Sequence, residues 1–128
     1  MDRLRRRLAS SEGFTLIELL VVIVIIGILL AIAIPSYLGF RKQAQDTAGK
    51  ANVREAVPSA ESYFANSGSY TGMTTGALKA IDSGLSPSVS VGYATATTYC
   101  LKAPGQQSIT WYFAGPGGTV TSTNPGGC

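Results

Sequence analysis

Histidine is absent from this 128-residue chain, and only two cysteines occur, Cys100 and Cys128. A transition-metal site made of imidazole and thiolate clusters therefore has no ligand set. Carboxylates are scarce where a globular region would need them. After Asp82 there is no Asp or Glu, and Lys102 is the only charged side chain. Calcium takes several oxygen ligands, usually including carboxylates, so a carboxylate cage is excluded from that part of the chain. Beyond residue 65, Asp82 is the sole acidic side chain, so the many Ser and Thr hydroxyls have no evident base to activate them. A serine paired with Lys79 or Lys102 is the one nucleophilic arrangement left, and no motif supports it. Catalysis, a resident metal and a bound cofactor are not expected.

Charge is unevenly spread. The chain carries 10 Lys+Arg against 7 Asp+Glu, a net of +3. Arg3, Arg5, Arg6 and Arg7, with Asp2 and Glu12 beside them, hold most of the excess; from Phe14 onward the balance is only +1, six basic residues against five acidic. Cations just ahead of an apolar span hold the N-terminus in the cytoplasm. The basic balance thus belongs to a short leading segment and gives little support to nucleic-acid binding.

That apolar span is the dominant feature. Leu19 to Ile34 is 16 residues without a charge or a strongly polar group, and Phe14 to Ile34 is 21 residues with Glu18 as the only charge. As a helix this is about 31 Å long at ~1.5 Å per residue, close to the ~30 Å hydrocarbon core of a bilayer. The remainder of the chain is too small to wrap such a helix inside a soluble core. A secretory signal would be cut after the run, near Ala31 or Ala33, yet helical patterning continues past them. An uncleaved anchor, or cleavage before the span, fits better. Both cysteines lie beyond the span, in a region that is exported if the N-terminus is cytoplasmic. Paired, they would close a loop of about 29 residues, worth ~3.6 kcal/mol by a loop-entropy estimate; unpaired, they are two free thiols.

After Pro35 the pattern becomes amphipathic. Tyr37, Phe40, Ala44, Ala48 and Ala51, then Val53, Val57, Ala60 and Phe64, recur at helical spacing. Arg41, Lys42, Gln45, Asp46, Lys50 and Glu61 fill the other sides, with Asp46 and Lys50 four apart. One long helix, or two nearly collinear ones, is expected from about Phe14 to Ala65, ending near Asn66-Ser67-Gly68. Pro35 and Pro58 should bend it, each removing a backbone donor, and Gly27, Gly39 and Gly49 should weaken it. A short helix is expected over Ala77–Asp82. Then the period drops to two. Val89, Val91 and Tyr93 alternate with Ser90 and Gly92. Ala96–Lys102 and Ser108–Ala114 read as strands around Pro104-Gly105-Gln106-Gln107, with a further short strand near Thr119–Thr121. The fold class is therefore α+β, a long N-terminal helix packed against a small antiparallel sheet. Trp111, Phe113, Tyr99, Tyr63 and Phe64 are the expected core. The organisation is 1–13 leader, 14–35 membrane helix, 36–66 amphipathic half, and 67–128 β head.

Gly13-Phe14-Thr15-Leu16-Ile17-Glu18, followed by the apolar run and Pro35, resembles the class III signal of type IV pilins and pseudopilins. Five features match: a short basic leader ending in Gly, then Phe, then Glu four residues on, a bilayer-length helix, and a closing Pro. The match is specific over about residues 1–65 and architectural beyond. It implies cleavage between Gly13 and Phe14 by a membrane prepilin peptidase, with N-methylation of the new Phe14 amine. It also implies that the charged Phe14 amine partners Glu18 of a neighbouring subunit and sets the register between subunits. Within one chain the two lie about one turn, ~6 Å, apart along the axis. A carboxylate favouring its own helix N-terminus through the helix dipole is the simpler role and is compatible with the first. Near Pro35, similar pilins bend or locally unwind in the filament; a plain kink is the alternative here.

What the resemblance implies about function is a prepilin that polymerises into a type IV pilus filament. Its partners would be copies of itself, the peptidase, an inner-membrane assembly platform and minor pilins, with lipid around it before assembly. It would be a single-pass protein of the cytoplasmic membrane, then part of an extracellular filament. The alternative is a pseudopilin of a type II secretion-like or competence pseudopilus. Major pseudopilins of secretion hold calcium with acidic ligands in the head, which the dearth of carboxylates after Asp82 disfavours. A Cys100–Cys128 bond would resemble the disulfide-bounded loop of many type IV pilins. Lys79 and Lys102 with Trp111 and Tyr112 could make a small DNA-binding patch, but aromatics in alternating strands are usually core.

Overall fold

The computed structural model describes Gly13 and residues 15–128. The chain forms two compact units, Met1–Gly39 and Phe40–Cys128. One helix, α1 (Leu16–Ser67), begins in the first and ends in the second.

In the first unit the described residues from Leu16 onward are all helical. Thr15 precedes the first turn, and its carbonyl accepts from Leu19 N at 3.2 Å. Leu and Ala flank an unbroken β-branched run, Val21 to Ile26, in this stretch. The lower propensity of the β-branched ones costs only tenths of a kcal/mol each. The helix continues unbroken through Pro35.

The second unit packs the rest of α1 against a sheet. Helix α2 (Thr75–Ile81) is capped by Thr74, whose hydroxyl accepts from Ala77 N at 3.2 Å. The strands are β1 (Ser90–Ala94), β2 (Tyr99–Pro104), β3 (Thr110–Gly115) and β4 (Val120–Thr121). They form one antiparallel meander in the order β1-β2-β3-β4. Tyr99, Leu101 and Ala103 alternate onto the inner face, opposite Gly115, Phe113 and Trp111 of β3. They meet Val53, Ala56 and Ala60 of α1, with Tyr70, Met73, Leu78, Leu85 and Val89 completing the core.

Several expectations need correction. Among the residues expected on the helix's packing face, Val53 and Ala60 are buried and Val57 is half-buried. Tyr37, Phe40, Ala44, Ala48, Ala51 and Phe64 are exposed. The buried residues of α1 are Gly49, Val53, Ala56, Ser59 and Ala60. Alanine marks a face poorly, because it is tolerated on either side. Gly49, read as a weak point, is where the sheet touches the helix: a Cβ there would lie 2.7 Å from Pro104 O and 2.8 Å from Trp111 Cδ1. Of the expected aromatic core, Tyr99 and Phe113 are buried. Tyr63 and Trp111 are half-buried, and Phe64 covers the edge of Tyr70, with ring centroids 4.6 Å apart.

The strand boundaries also moved. Residues 96–98 belong to a turn, since Thr95 N donates to Thr98 O at 2.7 Å and Thr95 Oγ1 accepts from Thr98 N at 3.0 Å. The next strand begins at Thr110 because Gln107 and Ser108 adopt left-handed φ angles of 33° and 66°. Helix α1 ends at Ser67, where Gly68, at φ 71°, donates its N–H to Phe64 O at 2.7 Å. Glycine reaches this conformation without steric cost, so it satisfies a last carbonyl and turns the chain away.

Candidate functional site

The start of α1 is built from short-range chemistry. Thr15 and Glu18 form a reciprocal capping box: Thr15 N donates to Glu18 Oε2 at 2.9 Å, and Glu18 N donates to Thr15 Oγ1 at 3.2 Å. Two of the helix's otherwise unpaired N–H groups are thereby satisfied, and the carboxylate sits at the positive end of the helix dipole. This is the simpler of the two roles weighed for Glu18, in a more specific form. Thr15 was not singled out from sequence, although Thr-x-x-Glu before an apolar run is the signature of this cap. Gly13 is exposed. Phe14 and residues 1–12, which hold the expected methylation site and most of the leader, lie outside the described residues.

Beyond the cap the helix presents a continuous apolar surface. Every Leu, Ile and Val from Leu16 to Ile34 is between 47 and 86 % exposed. It is the one helix among the described residues long and apolar enough to cross a membrane. In water such a surface is strongly unfavourable, at roughly 25 cal/mol per Å² of apolar area. Its stable surroundings are lipid or other apolar helices.

The second unit holds two polar clusters that sequence reading did not assemble. Asp46 Oδ1 accepts from Gln106 N at 3.0 Å and from Trp111 Nε1 at 3.3 Å, while Lys50 Nζ lies 4.3 Å from the Trp111 ring centroid. Both members of the pair expected to support each other along the helix thus engage Trp111 of the sheet. Glu61 accepts from both Tyr70 Oη, at 3.0 Å, and Tyr99 Oη, at 2.8 Å. Burial, and then the hydrogen bond and charge of Glu61, raise both phenol pKa values above their ordinary 10.0, that of Tyr99 very far. Both clusters tie α1 to the sheet and its loops.

Cys100 and Cys128 are joined by a disulfide, with Cα atoms 5.9 Å apart. Pro58 lies within an uninterrupted stretch of α1. The described residues hold no group of three or more His, Cys, Asp or Glu placed to bind a metal ion.

Residues 8–34 match the family model of the prokaryotic N-terminal methylation motif. Over 118 residues, 90 % of this chain and 89 % of the relative, the sequence is 39 % identical to the type IV wide pilus major component PilA4 of Thermus thermophilus. It is 38 % identical over 69 residues to the type IV major pilin protein PilA of Myxococcus xanthus, covering 54 % of this chain and 31 % of that one. It is 42 % identical over 74 residues to a fimbrial protein of Neisseria meningitidis serogroup B, covering 52 % of this chain and 39 % of that one. The similarity therefore runs nearly end to end in the first case and covers well under half of the relative in the other two.

Proposed function

Because this chain belongs to the type IV pilin family, we propose that it is a structural subunit that is processed at its N-terminus and polymerises into a type IV pilus filament. The observation that carries the proposal is the fully presented apolar surface of α1 from Leu16 to Ile34. That surface suits a subunit stored in a bilayer and then packed against copies of itself, where helix association rests on close van der Waals contact. Before processing the chain spans the cytoplasmic membrane once, with Arg3, Arg5, Arg6 and Arg7 on the cytoplasmic side. A prepilin peptidase cuts between Gly13 and Phe14 and methylates the Phe14 amine; an inner-membrane platform and minor pilins assist assembly. Pro35, flanked by Gly27 and Gly39, is the point at which the helix yields during packing. The protein has no catalytic role.

Glu18 has two functions in this scheme. In the single chain it caps its own helix, which offsets the cost of a carboxylate near lipid. In the filament it pairs with the Phe14 amine of a neighbour, because a charge buried among apolar helices without a partner is strongly destabilising. Two variants separate these roles. Glu18→Gln keeps a side-chain acceptor for the cap but removes the charge, whereas Glu18→Ala removes both. Both should still be cleaved after Gly13. Both should yield about tenfold fewer sheared surface filaments, an effect equivalent to ~1.4 kcal/mol. Normal filaments from Glu18→Gln would contradict the charge pairing; normal filaments from Glu18→Ala would remove Glu18 from assembly altogether.

A further inference from the structure

The end of the chain is fastened unlike the rest of its unit. The buried apolar core lies entirely at or before Phe113, and beyond that residue only Val120 packs against it. Residues 116–119 and 122–127 are exposed. Strand β4 contributes two ladder pairs, Thr121 with Tyr112 and Val120 with Phe113. The remaining attachments are at Cys128. It is bonded to Cys100, and its carbonyl oxygen accepts from Lys102 Nζ at 2.7 Å.

The sheet is shaped for this contact. Gly92 is the extra residue of a bulge in β1, between the pairs Val91–Leu101 and Tyr93–Cys100. A Cβ on Gly92 would lie 2.5 Å from Cys128 Sγ and 3.0 Å from its carbonyl oxygen. Cys100 alternates with Tyr99 and Leu101, so it faces away from the core, yet it is completely covered. The disulfide therefore sits on the outer face of the sheet, in a seat made by a bulged glycine and a lysine.

We propose that residues 116–128 are a redox-released strap: reduction of Cys100–Cys128 frees this segment while the core from Val53 to Phe113 stays folded. The reductant is a dithiol. Its thiolate attacks one sulfur, and the Cys–Cys bond breaks to give a mixed disulfide. Its second thiol then resolves that bond. The dithiol loses two electrons and ends as its own disulfide, and two protons end on the Cys100 and Cys128 thiols. One half-buried valine and two ladder pairs do not offset the conformational freedom that the segment regains. Opening bares Cys100 and the edge of β3 that β4 covers. Under oxidising conditions the strap closes and keeps that edge from pairing with other chains.

The test is amide hydrogen exchange on the full chain in detergent micelles, with and without dithiothreitol. Reduction should speed exchange of the Gly117–Cys128 amides about tenfold or more and leave Val53–Ala60 and Tyr99–Ala103 within about twofold. A Cys128→Ser chain without reductant should give the same pattern. Gly92→Ala, which crowds the seat, should be reduced several times faster than the natural chain. Acceleration across the whole unit would make the disulfide a global staple and overturn the proposal. An unchanged tail on reduction would overturn it too. Equal reduction rates for Gly92→Ala would remove the seat.

Discussion

At the residue scale, four side chains carry most of the consequence. Thr15 holds Glu18 against its own helix end, so its hydroxyl is a positioning group for the carboxylate. Losing an N-cap costs typically ~1 kcal/mol, a factor of about five in the local opening equilibrium. Thr15→Ala should therefore speed exchange of the Glu18 amide about fivefold in micelles, and Thr15→Ser should restore it. Glu61 is the second. It is the shared acceptor for two buried phenols, and each unsatisfied buried donor costs about 1–3 kcal/mol. Glu61→Ala should lower the stability of the sheet-bearing unit by about 2 kcal/mol or more in a denaturant titration followed by Trp111 emission. Tyr70 and Tyr99 set the pH response. Their pKa values are raised on folding, so the folded state keeps protons that the unfolded state sheds above pH 10. Their contribution is complete below about pH 10 and is lost as pH rises beyond it, by up to ~1.4 kcal/mol per pH unit for each tyrosine. Melting temperature measured from pH 8 to 11.5 should be flat at first and then fall; a rise above pH 10 would contradict the Glu61 cluster.

At the scale of elements, Gly49 shows which of two opposing effects wins. Alanine is the better helix former by up to ~1 kcal/mol. At Gly49, however, a methyl would press on Pro104 O and Trp111 Cδ1, whereas at Gly39 nothing lies within 4 Å. Overpacking costs about 1–3 kcal/mol. Gly49→Ala should thus destabilise the second unit, and Gly39→Ala should be neutral or stabilising, in the same titration. This glycine also explains what could be read from sequence. The long helix, the short antiparallel sheet and the Thr-Gly-rich connections follow from periodicity and turn residues, which are local. The packing face does not. It depends on where the sheet's backbone can approach, and that is set by Gly49 and by Asp46 and Lys50 gripping Trp111. Likewise Ala96–Thr98 have strand-like composition, but Thr95 competes for their backbone N–H groups and bends them into a turn. The motif Gly13 to Glu18 was legible because its residues are contiguous. Glu61 was not, because its partners lie 9 and 38 positions away.

At the scale of the whole molecule, one surface decides what the protein is for. Nearly every other apolar group is either buried or scattered, while α1 offers Leu, Ile and Val on all sides from Leu16 to Ile34. Lipid and neighbouring copies are alternative solvents for it, and the proposed life of the subunit is a transfer from one to the other. That transfer requires a cut before Phe14 and export of the product. Its most direct test is intact-mass and N-terminal analysis of protein sheared from the cell surface, before and after reduction. The sheared fraction should contain a chain beginning at N-methylated Phe14, two hydrogens lighter before reduction than after it. Processed protein found only in the membrane fraction, or a surface chain still carrying residues 1–13, would contradict it.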